Sequence, residues 1–274
     1  MVRAITQDEI SQYERDGAVC LRGLFDHVWV ERIRDALERL LHTDRGKRGD
    51  LTASASPGRF NNATFMWRFD PDFREFVFQS PAAEIARQLM RSRTSRFLYD
   101  HLFVKEPRTR ETTPWHHDQP YWPVRGDQVC SIWLSLDTVT RQTSGLEYIK
   151  GSHRWPSRYR PEVWGNGTET WRKLGLLDSQ EEAIPDIDAQ REKYEFLSWD
   201  VEPGDCLAHH SLAIHGSSGN GSATQRRRAL ATRWIGDDAV YAPAPGSFNL
   251  LLDASLTPGQ PFGGEKFPLV VDAR

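Results

Sequence analysis

Pro114-Trp115-His116-His117-Asp118-Gln119 sets an imidazole and a carboxylate two positions apart. In an extended strand residues i and i+2 share one face, so His116 and Asp118 can bind one metal ion together. Much later, His215-Gly216-Ser217 runs toward Arg226-Arg227-Arg228-Ala229-Leu230 and adds a second imidazole and, a strand on, a guanidinium. Two histidines and one carboxylate on one face of a metal leave coordination positions open.

The sequence around these segments reads as β. Residues 96–104, 129–136, 146–149, 195–201, 205–210 and 228–235 are expected as strands. Pro203-Gly204 supplies a turn between two of them. Short strands separated by turns, without intervening helices, favour a jelly roll or cupin-like barrel. The result is a mainly β fold with flanking helices. The stretch 155–190 is polar, contains Asn166-Gly167, and is too long for a tight connection. It is expected to pass over one barrel mouth, with a short helix near 170–176.

Upstream the pattern is helical. Thr6 reads as an N-cap, and Ile10, Tyr13 and a stop at Gly17 fit a short helix. Residues 18–22 read as a strand. Asp26 caps a second helix in which Val30, Ile33, Leu37, Leu40 and Leu41 recur at helical spacing. Residues 47–62, rich in Gly, Ser, Asn and charge, read as a loop. Ser80-Pro81 starts a third helix with Ile85, Leu89 and Met90 on its apolar side. No internal repeat or second domain is evident. Residues 1–274 therefore read as one domain: a helical part at about 1–95, a β core at about 96–240 and a tail at 241–274.

A chain of 274 residues is long enough for one large domain with a full core. Its 35 basic and 38 acidic residues give a net charge of −3, so bulk charge makes no case for nucleic acid or membrane binding. No run of about 18 apolar residues exists to span a bilayer. The residues before Asp8 and Glu9 lack the apolar stretch of a secretory signal. Cys20, Cys130 and Cys206 are an odd number without CxxC spacing, which suits small buried residues in a reducing cytoplasm. Several of the ten tryptophans flank the candidate ligands. They suit a deep aromatic pocket, although tryptophan equally fills cores.

Nine histidines compete for ligand roles. His27 and His42 sit beside a helix among polar residues and read as surface groups. His101 lies in a strand, as core or pocket wall. Of the adjacent pair only His116 shares a face with Asp118, so His117 points the other way, toward groups supporting the metal or toward substrate. His153 follows a turn and reads as structural. His209 and His210 end a strand, as core or as support for the ligands. His215 precedes a glycine, where backbone access to a site is easy. A lone His-x-Asp says little. The order says more: His-x-Asp leaving a strand, a long excursion, a Pro-Gly-Asp turn, a strand, then His-Gly and an arginine on the next strand. That order suits a non-haem iron oxygenase.

A wider set of residues carries a resemblance. It comprises Lys105-Glu106-Pro107, Thr113 through Gln119, Tyr121-Trp122-Pro123, Cys130 through Asp137, and Gly151-Ser152-His153-Arg154-Trp155. It continues through Pro203-Gly204-Asp205, His215-Gly216-Ser217, Asn220, Ser222, Arg227 through Leu230, Arg233 and Gly236-Asp237-Asp238. With these residues the chain resembles the phytanoyl-CoA dioxygenase family of Fe(II)/2-oxoglutarate-dependent oxygenases, from the N-terminal helices almost to the C-terminus.

The resemblance implies a double-stranded β-helix in which His116, Asp118 and His215 ligate Fe(II), with 2-oxoglutarate as cosubstrate and O₂ as oxidant. It also implies an arginine on the distal carboxylate of 2-oxoglutarate, where a guanidinium fork forms two parallel hydrogen bonds. The family pattern places it two positions before the small residue of the strand, here Ala229, which selects Arg227. Strand alternation then puts Arg226 and Arg228 on the opposite face as solvent-facing charge. Arg226 stays an alternative, because this segment carries an extra residue between Asn220 and the arginines relative to common family members. Lys105, Thr113 and Ser131 fall on strands expected to line the cosubstrate pocket. Each is a candidate donor to 2-oxoglutarate, or else a surface lysine, a strand-end hydroxyl and a core hydroxyl.

Related halogenases carry a small residue where this chain has Asp118, so the carboxylate points to hydroxylation or another oxidative C–H reaction. Desaturation, epoxidation and rearrangement share the same residues. His117, Gln119, Tyr121 and Trp122 are the candidates for substrate contact, and the stretches 47–62 and 155–190 for closing the site. No basic run suits the phosphates of coenzyme A. The expected substrate is a small-to-medium metabolite of a biosynthetic or catabolic pathway, bound by a cytoplasmic monomer or homodimer with no nucleic acid or membrane partner. Two rival readings use the same barrel. One is a cupin-like binding protein without turnover. The other is a zinc hydrolase, which gains nothing from an arginine in an oxoacid pocket.

Overall fold

The computed structural model describes residues 3–43, 49–52, 56–164 and 168–273. Asn166-Gly167 and parts of the 47–62 stretch lie outside them. The first helix, Gln7–Asp16, is set by its ends. Thr6 Oγ1 accepts the Glu9 N–H at 3.2 Å while the Glu9 carboxylate accepts the Thr6 N–H at 2.7 Å, a reciprocal capping box. Gly17 ends it in the left-handed region at φ 82°. Asp26 caps the second helix, His27–Leu41, by accepting the Trp29 N–H. A helix not anticipated from sequence, Pro71–Gln79, is capped by Asp70 and opened by Pro71. Phe73, Phe76 and Val77 form its buried side. Ala82–Leu89 follows as expected.

Among the described residues there are thirteen strands in chain order: β1 (Ala18–Leu21), β2 (Phe60–Thr64), β3 (Thr94–Lys105), β4 (Thr113–His116), β5 (Val124–Arg125), β6 (Val129–Ser135), β7 (Leu146–Ile149), β8 (Phe196–Ser198), β9 (Cys206–His210), β10 (His215–Ser217), β11 (Arg227–Ile235), β12 (Val240–Tyr241) and β13 (Leu269–Asp272). The large antiparallel sheet runs β1-β9-β6-β11-β3, with β2 and β13 both paired to β3. The small sheet runs β4-β10-β7-β8. This is a jelly-roll arrangement with open edges rather than a closed barrel among the described residues. β2 corrects the loop expected over 47–62: its last residues are a strand paired Phe60↔Lys105 through Thr64↔His101. Its polar Asn61 and Asn62 hide that from a composition reading. The expected strand 195–201 shortens to β8, and the short helix of the excursion is Thr168–Lys173.

Alternation along the strands sorts side chains into two layers. On β11, Leu230 and Trp234 face the helices, where they join Ile33, Leu37, Phe76 and Leu89. Each fully buried side chain of this size contributes about 1.5–3 kcal/mol. Ala229 and Ala231 face the small sheet and pack in a second cluster with Trp133, Leu146 and Tyr148. Arg228 lies on the helix side and forms a two-pronged pair with Asp137, while Arg226 bonds Glu106; both also reach Glu38 of the second helix. The outward arginines therefore clamp that helix to the sheet rather than simply facing solvent. No described helix is long and apolar enough to cross a membrane.

The Pro203-Gly204 turn locks the second helix's approach to the large sheet. Gly204 has φ 91°, and a Cβ there would run into the backbone oxygen of Phe25. Gly23 also has positive φ, 61°, but faces open space. Gly204→Ala is expected to cost about 3 kcal/mol or more, and Gly23→Ala about 1–2 kcal/mol. Urea unfolding of both variants checks this; equal losses would show that the close approach at Gly204 is not restrictive.

Candidate metal centre and the cavities beside it

Strands β4 and β10 pair with His116 directly opposite His215, and the two rings lie 4.2 Å apart. Each ring bonds its own chain two residues back. His116 Nδ1 meets Pro114 O at 2.8 Å and His215 Nδ1 meets Ala213 O at 3.0 Å. A carbonyl accepts only, so both Nδ1 atoms carry the proton and both Nε2 lone pairs stay available to a metal. Asp118 arrives differently from the expectation. β4 ends at His116, and Asp118 adopts helical angles (φ −72°, ψ −41°) at the start of a single turn, Gln119–Tyr121. A turn, not the pleat of a strand, brings its Oδ1 to 3.6 Å from His116 Nε2. The ligand atoms of His116, Asp118 and His215 all lie within 4.8 Å of one another, and all three residues are buried. The three donors fit one ion with open positions.

The other carboxylate oxygen is held from behind. Ser131 Oγ donates to Asp118 Oδ2 at 2.7 Å, and His209 Nε2 lies 3.3 Å from the same atom. Ser131 and His209 are cross-strand partners on β6 and β9. Tyr148 Oη, 3.2 Å from His209 Nδ1, extends the chain of contacts. Burial alone would raise the Asp118 carboxyl, but the charge of Arg233 and the contact from His209 hold it well below its ordinary range. Burial, then His116 and His209, push His215 well below its ordinary value. The site thus presents an ionised carboxylate and a neutral imidazole, as metal ligation requires. Ser131, expected to serve the cosubstrate, is engaged with the ligand Asp118. The pairing of Ser131 with His209 was not visible in the sequence.

A narrow cavity on one side of the triad is lined by Thr113, Trp133, Leu146, His215 and Arg227 among others. Arg227 is 2 % exposed. Its Nη2 donates to Ser144 Oγ at 3.0 Å, its Nε has no partner, and its guanidinium lies over the Trp133 ring. Burial lowers Arg227 to about 10. Lys105 sits opposite Arg227 across β3 and β11. Its Nζ donates to Ser217 Oγ at 3.1 Å and Ser218 O at 2.9 Å. Burial and the neighbouring Arg227 push Lys105 well below its ordinary value. Among the described residues no carboxylate lies within ion-pair distance of either cation. Two desolvated cations, one with an orphaned N–H, fit a carboxylate ligand.

On the other side lies a cavity of about 730 Å³ that reaches His116 and Asp118. Tyr99, Tyr121, Trp122, Trp164, Phe248 and Arg233 form much of its wall. Trp164, Trp171, Leu174 and Leu176 come from the 155–190 excursion, and the Trp164 ring lies 4.7 Å from His116. Of the four substrate-contact candidates, Tyr121 and Trp122 line this cavity; His117 and Gln119 do not. His117 Nε2 accepts the Tyr159 N–H at 2.9 Å, and burial lowers its pKa to about 4. Gln119 donates to Gly126 O and accepts from Ser211 Oγ. Both brace the backbone around the ligands. Arg233 carried a legible signal: it shares the inward parity of Arg227 on the same strand.

Residues 13–229 match the sequence model of the family described as Phytanoyl-CoA dioxygenase (PhyH). A probable phytanoyl-CoA dioxygenase of Caenorhabditis elegans is 26 % identical over 245 residues, covering 82 % of this chain and 74 % of its own. The peroxisomal phytanoyl-CoA dioxygenase of Homo sapiens is 22 % identical over 256 residues, covering 89 % and 72 %. Among solved structures, the non-heme alpha-ketoglutarate-dependent carbocyclase SnoK from nogalamycin biosynthesis matches 97 % of both chains with a TM-score of 0.75 at 24 % identity. The epimerase SnoN, in complex with Fe³⁺, alpha-ketoglutarate and nogalamycin RO, gives a TM-score of 0.73 at 20 % identity over 96 % of this chain and 98 % of its own. These likenesses establish a common fold. With a family match over residues 13–229 and a His-Asp-His centre at the heart of that fold, the chain belongs to the phytanoyl-CoA dioxygenase family of iron- and 2-oxoglutarate-dependent oxygenases.

Proposed function

We propose that the enzyme couples decarboxylation of 2-oxoglutarate to oxidation of a C–H bond in a small-to-medium, largely apolar metabolite. One observation carries this: His116 lines two cavities of opposite character, an anion pocket built on Arg227 and a wide aromatic cavity. Bound iron, 2-oxoglutarate and O₂ supply the oxidation, with succinate and CO₂ as co-products. His116, Asp118 and His215 hold the iron. Arg227 and Lys105 bind the distal carboxylate of 2-oxoglutarate, and Thr113 and Trp133 shape the pocket around it. Ser131 and His209 keep Asp118 ionised and oriented.

The aromatic cavity holds the substrate. Its size falls within the roughly 300–1,000 Å³ of sites for drug-sized molecules. Arg233, deep beside Asp118, is the one Lys or Arg on its described wall, which disfavours the several phosphates of an acyl-coenzyme A. Hydroxylation is the simplest outcome for a centre that keeps Asp118. The Trp164–Leu176 wall contributed by the excursion acts as a cover that keeps water out. Residues 1–274 act as one catalytic domain, as a monomer or a homodimer. The three cysteines are free thiols, which suits the cytoplasm.

Three outcomes test this reading. Anaerobic Fe(II) with 2-oxoglutarate should produce a metal-to-ligand absorption band. His116→Ala, Asp118→Ala and His215→Ala should abolish it, whereas His117→Ala should keep it; the reverse pattern at the adjacent histidines would refute the ligand set. Arg227→Ala should raise the 2-oxoglutarate half-saturation about tenfold to a hundredfold, since bonds to a charged group are worth roughly 1.5–3 kcal/mol. Arg226→Ala and Arg228→Ala should leave that half-saturation nearly unchanged and instead lower the melting temperature, because their partners are Glu38, Glu106 and Asp137. Finally, hydrogen exchange across 155–190 should slow most when a true substrate joins 2-oxoglutarate; unchanged exchange there would reduce the excursion to a surface insertion.

A further inference from the structure

The proposed roles leave Arg233 unused. It points inward from β11, is 4 % exposed, and lines both cavities. Its Nη1 donates to Ala231 O at 3.1 Å, while its Nε has no hydrogen-bond partner. Asp118 Oδ2 is 3.9 Å from that Nε, close enough to pair in charge but too far for a hydrogen bond. The same oxygen already accepts from Ser131. The rings of Tyr99 and Phe103 lie 4.9 and 5.9 Å from the guanidinium carbon and steady the cation without offering it an oxygen. A guanidinium has five N–H donors in a fixed fork. Burying one with donors unused is costly unless a ligand completes it.

The surroundings define that ligand. Arg227 and Arg233 share the inward face of β11, with Ala229 and Ala231 between them. One strand therefore carries a cation on each side of the metal triad, and the short alanines leave the space between open. Arg227 belongs to the narrow anion pocket. Arg233 opens onto the aromatic cavity, whose Tyr99, Trp122 and Trp164 offer faces to a flat molecule. Apart from Asp118, the one acidic residue on the described wall is Asp50.

We infer that Arg233 is a specificity-determining residue that binds an anionic oxygen, carboxylate or phenolate, on a flat aromatic substrate. Anchoring that oxygen beside Asp118 fixes which part of the ring system faces the metal. The inference rests on the oxygenase reading of the same site and adds the class of molecule it accepts.

The test uses the whole protein, loaded anaerobically with Fe(II) and 2-oxoglutarate. 2-Naphthoate and its neutral methyl ester are titrated, with quenching of tryptophan fluorescence as the readout. Wild type should bind the anion about tenfold or more tighter than the ester, the worth of one charge-assisted bond. Arg233→Gln should erase that preference and Arg233→Lys should keep part of it; Arg233→Lys, which keeps the charge beside Asp118, should leave the metal-to-ligand band and its 2-oxoglutarate half-saturation unchanged. Equal binding of anion and ester by wild type, or no quenching by either, overturns the inference. So does a loss of iron or a raised 2-oxoglutarate requirement in Arg233→Lys, which would make Arg233 a positioning residue for Asp118 or part of the cosubstrate pocket. Should Arg233→Gln not fold, wild type against Arg233→Lys decides. If wild type forms no band, the oxygenase reading fails separately, and the naphthoate preference of the metal-free protein still judges Arg233.

Discussion

The antiparallel register of β4 and β10 is the constraint on which the centre depends. It sets His116 opposite His215, and the same β10 residue faces Tyr148 on its other side. A slip of one residue would turn an imidazole to the opposite face and dismantle the triad. Gly216 lets the strands pair at this spacing without a neighbour having to shift. A Cβ there would press on Thr113 O at 3.1 Å and on the Trp115 ring at 3.2 Å. The glycine after His215 thus serves the close strand approach. The histidines then need no further positioning, because each is tied to its own backbone at Nδ1.

Around this centre the fold buries more positive than negative charge. Arg227, Lys105 and Arg233 are all nearly inaccessible, and Asp118 is the one carboxylate of the candidate ligand set. Burial pushes Lys105 and Arg227 toward losing their protons. A carboxylate arriving between them reverses that tendency, since an opposite charge favours the protonated form. Such a pocket is costly when empty and selective when filled, because a neutral molecule of the same shape leaves the cations unmatched. The Nε2 atoms of His116 and His215 and the ionised Asp118 meet the opposite requirement, that of a cation.

One strand separates these tasks by parity. Inward residues of β11 serve the cavities, while Arg228, Leu230 and Trp234 hold the helices. The arginine tract looks uniform in sequence, yet its members have unrelated partners. Arg226 and Arg228 meet Glu38, Glu106 and Asp137 at partly exposed positions where screening limits each pair to a modest contribution. Arg227, between them, has no carboxylate within ion-pair distance among the described residues. Clamping of the helix and lining of the narrow cavity are therefore carried by neighbours in the chain.

Local chemistry was readable from the sequence alone wherever the deciding interaction is local. The Thr6 capping box, the stop at Gly17, the Asp26 cap and the inward parity of Arg227 depend on residues a few positions apart. Strands β1, β3, β6, β9 and β11 of the large sheet followed from β-branched and alternating runs, but β2 and β13 did not: Asn61 and Asn62 read as loop, β13 lies in the stretch read as a tail, and both are held by pairing with β3. The helix Pro71–Gln79 had a readable start in Asp70-Pro71. Parity tells which way a side chain faces; it does not tell which strand lies opposite. That Lys105 faces Arg227, that Ser131 and His209 converge on Asp118, and that His117 and Gln119 brace backbone instead of touching the cavity were decided by tertiary structure. So was the path of Asp118, carried to the histidines by a turn after the strand had ended. Strand pairing joins residues far apart in the chain, and its register is set by the packing of whole sheets rather than by any short stretch of sequence.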